Sequence, residues 1–91
     1  MPLYHLSVSI PAGSRATAFG AFGMMDAEAD KKDAGKCTLI TRVMDLCGNC
    51  FVVVDGPSHA DVLSWAYNWC TLCDITVTPV LNDEDARAII K

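Results

Sequence analysis

The chain has 91 residues, of which 52% are hydrophobic and 20% charged, with five cysteines and a formal net charge of -4. That length fits a single domain, residues 1–91, with a real core but a thin stability margin, and so apolar a composition predicts surface buried against a second copy. The few Lys and Arg are scattered and no run of about 18 apolar residues occurs, so neither nucleic acid nor a membrane is an expected partner.

The opening MPLYHLSVSIPAG lacks the basic n-region and unbroken apolar segment of a secretory leader. It predicts a cytoplasmic protein unless an organelle signal has been removed. Within it, residues 4–10 alternate: Tyr4, Leu6, Val8 and Ile10 face one way, His5, Ser7 and Ser9 the other, as in a two-faced strand. A helix is expected from about Arg15 to Lys32, with Ser14 as cap and Ala18, Phe19, Phe22 and Met25 in an apolar stripe that Met24 could extend. The acidic stretch after it reads as a solvated face, and Gly35 as the stop.

Residues 37–46 and 51–56 are rich in β-branched residues and flank Gly48-Asn49, which predicts a hairpin with a two-residue turn. Alternation in the first of these strands does not choose a face: Thr38, Ile40, Arg42 and Met44 compete with Leu39, Thr41 and Val43. A second helix should follow, capped by Ser58 with Asp61 in its first turn, burying Val62, Leu63, Ala66, Trp69 and Cys70. His59 reads as a solvated helix-start residue, and Trp65, Tyr67 and Trp69 as core or dimer contacts rather than a stacking platform. Residues 74–81 form a last strand that Pro79 assigns to an edge or bulge, and Asn82 caps a short terminal helix. The order β-α-β-β-α-β predicts an α+β, ferredoxin-like sandwich with a short C-terminal helix.

The opening YHLSVSIPAGSRATAFGAF, the lead DAGK and above all WAYNWCTLCDITVTPVLNDEDARAII resemble the DUF3303 family of small uncharacterised proteins, over nearly the whole chain. The resemblance implies a dimeric α/β barrel, in which two protomers lay the helix-free faces of their sheets together. It implies no particular reaction, since the wider superfamily includes cofactor-free monooxygenases, isomerases and haem-dependent enzymes. At the hairpin tip the chain departs from the family, with two cysteines where a Gly-rich, often Arg-containing turn is expected.

In such a barrel His5 would point inward as an acid/base group, with Ser7 and Ser9 beside it, and Arg42 would join them to hold an anionic ligand if its strand faced that way. The helix–sheet cavity is the other place for a small molecule. No cofactor is required by these residues. Cys47, Cys50, Cys70 and Cys73 have the spacing Cys-x2-Cys-x19-Cys-x2-Cys, which suits a four-thiolate zinc site in an interaction module. A thiol-redox pair, inert buried cysteines, and a structural or regulatory oligomer without ligand are the competing readings.

Overall fold

The computed structural model describes residues 2–91. Its elements run β1 Leu3–Ser9, α1 Ala12–Gly23, α2 Ala27–Ala34, β2 Thr38–Met44, β3 Asn49–Asp55, α3 His59–Tyr67, β4 Asp74–Val80 and α4 Asp83–Ile90. The four strands form one sheet in the order β2-β3-β1-β4, with every neighbouring pair antiparallel. This is the expected α+β architecture, with β2 and β4 at the edges and Pro79 on an edge strand, where its missing N–H costs no ladder bond.

The alternation in β1 sorts as predicted. Tyr4, Leu6 and Ile10 are buried, and the first two join Val52 and Val54 of β3 in a core closed by Ala34, Val62, Trp65 and Ala66 from the helices. Ile10, Ala18 and Cys73 form a second cluster, with Phe19, Trp69 and Ile75 packed against it. His5, Ser7, Phe51 and Val43 lie on the opposite face, which the core clusters leave without a helix.

Four expectations need correction. The first helix is two, because Met24 and Met25 leave the helical path and Asp26 starts afresh as N-cap, accepting from the Ala29 N–H at 2.8 Å. Met24 is consequently exposed. Ser14 is inside α1 rather than capping it, and its hydroxyl donates to the Leu72 carbonyl at 2.6 Å, tying α1 to the loop before β4.

The hairpin does not turn on Gly48-Asn49. β2 ends at Met44 and β3 begins at Asn49, so the connection is residues 45–48, with left-handed backbone at Leu46 (φ 61°) and Gly48 (φ 122°). Asp45 organises it: Oδ1 accepts from the N–H groups of Cys47 and Asn49 at 2.8 and 3.0 Å, and Oδ2 from the Asn49 amide at 3.0 Å.

On α3 the buried side is Val62, Trp65 and Ala66, while Leu63 and Cys70 are exposed. The capping was legible: Ser58 Oγ accepts from Asp61 N–H at 3.2 Å, and Asn82 Oδ1 from Asp85 N–H at 2.9 Å.

Candidate functional site

Between the helices and the sheet lies a cavity of ≈ 90 Å³, lined on the sheet side by Leu6, Val8, Met44, Val52 and Ile75 and on the helix side by Phe19, Phe22, Trp65, Ala66 and Trp69. Cys50 and Cys73 also reach it, and its charged residues are Asp30, Asp33 and Arg42. The site is thus a greasy chamber with its polar groups gathered on one wall.

That wall is α2. Eight residues long and mostly polar, it packs little apolar surface of its own, with Ala34 its one buried residue. Two carboxylates one turn apart hold it down. Asp30 takes both arms of the Arg42 guanidinium, Nη1 to Oδ1 at 3.1 Å and Nη2 to Oδ2 at 3.0 Å, in the bidentate geometry that makes such pairs directional. Arg42 also lies over the Phe22 ring, 4.5 Å from its centroid, so its flat face is covered by α1.

Asp33 does more. Its Oδ2 accepts from the indole N–H of Trp65 at 2.9 Å and of Trp69 at 2.8 Å, and its Oδ1 from the Asn68 amide at 2.8 Å. Trp65, Asn68 and Trp69 stand at i, i+3 and i+4, the spacing that brings three side chains to one side of a helix and its exit turn. α2 is therefore a strap across the cavity, fastened at one end to the sheet and at the other to α3. A more open cleft runs along α2 beside Ala34, Cys37 and Leu39.

Arg42 faces this cavity because β2 carries a bulge. The register jumps between Leu39 and Thr41, leaving Ile40 without a partner, so that Leu39 precedes the bulge on the core side while Arg42 and Met44 follow it there. His5, by contrast, is on the open face, half-buried and stacked on Phe51 with ring centroids 5.9 Å apart. Ser7 and Ser9 share that face with it. The sheet thus separates Arg42 from the other three predicted ligand-binding and catalytic residues.

A family model described as a domain of unknown function, DUF3303, matches residues 2–91. The chain belongs to the DUF3303 family. No curated protein and no solved structure matches it.

In this DUF3303 chain each Cys-x-x-Cys pair is divided by burial: Cys50 and Cys73 are buried, Cys47 and Cys70 exposed, and all are free thiols. The pairs come to the same end of the sheet, but the β1–α1 junction stands between their loops. On one side the Ile10 N–H donates to the Gly48 carbonyl at 2.7 Å, and on the other Ser14 holds Leu72. Arg15, donating to the Ile10 carbonyl, lies so close to Gly48 that a Cβ there would meet its Nη2 at 2.6 Å. Among the described residues no group of three or more His, Cys, Asp or Glu is arranged to hold a metal ion.

Burial pushes the Cys50 thiol up, an effect the nearby Arg42 charge opposes. Burial does the same to Cys73, reinforced by Cys50 and Asp74, and to Cys37, reinforced by Asp61 and Asp55. These are settings for neutral, unreactive thiols.

The site includes four residues that sequence reasoning does not single out: Asp30 and Asp33 read as part of a solvated acidic stretch, and Trp65 and Trp69 as plain packing. The available signal was the pairing of WxxNW, three side-chain N–H donors on one face, with a carboxylate spacing of three in a helix otherwise short of apolar contacts. His59 is the exposed first residue of α3, as expected, and its ring also stacks on Tyr4 at 5.6 Å and 7°.

Proposed function

We propose that this DUF3303 protein binds a small, largely apolar molecule in the helix–sheet cavity, and that it works as a homodimer joined through the open sheet face in the ferredoxin-like, dimeric α/β-barrel manner. The observation that carries the binding reading is the chamber itself: apolar, lined by two tryptophans, and closed by a strap with its own polar fastenings rather than by continuous core packing. At ≈ 90 Å³ it is smaller than the roughly 150 Å³ apolar cavity that admits benzene. A ligand of more than a few heavy atoms therefore enters as α2 lifts.

In the paired form His5, Ser7 and Ser9 would line the space between protomers, on the far side of the sheet from the cavity. Any catalysis would be cofactor-free acid/base chemistry by His5 at that second location. Chemistry at Arg42 would be limited to orienting a polar end, since Asp30 already neutralises its charge.

Trp65 and Trp69 make the binding reading testable without knowing the natural ligand. Iodobenzene, a heavy-atom quencher of the right polarity, should quench their fluorescence saturably. Val52→Trp, which fills the chamber, should remove saturation while leaving collisional quenching. Saturable quenching that survives Val52→Trp, or quenching of the wild-type chain that never saturates, would sink the cavity as the binding site.

A further inference from the structure

The terminal helix α4 buries no residue of its own against the described residues of its chain. It is eight residues long, none of them buried, and Ala86 is its only partly buried residue. Helices shorter than about 12–15 residues are marginal in water unless an apolar face is packed. Asn82 and the acidic first turn of Asp83, Glu84 and Asp85 cap it well, but capping alone does not overcome the nucleation cost.

Yet α4 is strongly two-sided. Ala86, Ile89 and Ile90 fall at i, i+3 and i+4 on one stripe, with Ile89 72% and Ile90 81% exposed, and Leu81 at 55% leads into it. The molecule is drawn out to 46 Å in one direction against 25 and 19 Å in the others.

Bare apolar side chains also gather at the β2–β3 margin of the sheet: Ile40 56%, Val43 58% and Phe51 46% exposed, with Val43 directly opposite Phe51. It lies at the edge away from β4, the strand from which α4 departs. One chain thus presents an apolar arm and an apolar margin at opposite edges. A two-fold pair satisfies both twice, since each arm meets the other chain's margin.

The arms also enlarge the contact. A four-stranded face of seven-residue strands has a footprint of roughly 19 by 24 Å, a specific interface buries about 800 Å² of accessible surface per partner, and side chains reaching over the partner's margin add to what the footprint supplies.

We propose that α4 is an exchange arm that packs Ala86, Ile89 and Ile90 against the β2 margin of a second copy of this chain. The inference rests on the sheet-face pairing proposed above, and the test separates the two. Sedimentation of the full chain should give a dimer, and a chain ending at Leu81 should dissociate at least tenfold more readily while keeping its circular dichroism in the strand region. Ile89→Asp with Ile90→Asp should do the same without truncation, which covers the case of a shortened chain that folds poorly. Amide exchange at residues 83–91 should be slow in the dimer and speed up on dilution. A dimer of unchanged affinity after both alterations overturns the arm and leaves the sheet-face pairing standing. A full chain that stays monomeric overturns both.

Discussion

Both indole N–H groups around the α3 exit end on one oxygen, Asp33 Oδ2, while Asn68 takes the other. Trp65 is buried and Trp69 partly so. Truncating Asp33 leaves donors facing an apolar chamber, and the cost is the desolvation of those donors rather than the loss of a surface hydrogen bond. Asp33→Ala should therefore destabilise the chain by about 1–3 kcal/mol in urea unfolding, with a red shift of the native tryptophan emission. Asp33→Asn, which keeps one acceptor oxygen, should recover part of both. A neutral Asp33→Ala would mean that the strap is not fastened there. On its own helix this residue carries no signal, because an aspartate among Asp, Lys and Ala looks the same whether it faces water or a pair of indoles, and only setting it beside WxxNW tells the two apart.

At the scale of elements, the hairpin loop is organised from within by one exposed carboxylate, Asp45. The Asn49 amide, then the Asn49 and Cys47 N–H groups, hold the Asp45 carboxyl down at about 2 from an ordinary 3.8. The folded value lies below the unfolded one, so the contribution is present above pH 3.8 and is lost as pH falls toward about 2. Amide resonances of Cys47 and Asn49 should hold their positions down to pH 3.8 and move together below it. Asp45→Asn should remove that transition. The loop also shows why a turn signal can be right in kind and wrong in place. Gly48 does supply left-handed backbone, but Asp45 and Leu46, which read as strand, belong to a four-residue connection that the pattern compresses to two. The bulge at Ile40 had a larger effect. A single unpaired residue reverses the facing of everything after it, which is why alternation alone could not assign Arg42 to either side of the sheet. The β-strands, the Ser58 and Asn82 caps and the edge position of Pro79 were legible because each follows from local chemistry.

For the whole molecule, the five cysteines make a probe of integrity. Cys47 and Cys70 are exposed, while Cys37, Cys50 and Cys73 are buried with their thiols pushed up. Ellman's reagent at pH 8 should label two thiols per chain quickly and the other three only as fast as the fold opens, so that urea converts the slow class into the fast one. A four-thiolate zinc site would instead leave Cys37 as the lone unligated thiol, and chelator would then change the count.

The sheet edges carry a further consequence. An open four-stranded sheet invites strand-by-strand addition of further copies, which has no natural end. Here β4 bears Pro79, which has no N–H to offer a newcomer, and β2 is broken by its bulge at Ile40. Neither border is a good template for growth. Growth in the direction that makes fibres is thereby disfavoured, whereas the two-fold contact proposed for the sheet's face would consume the surface that made it.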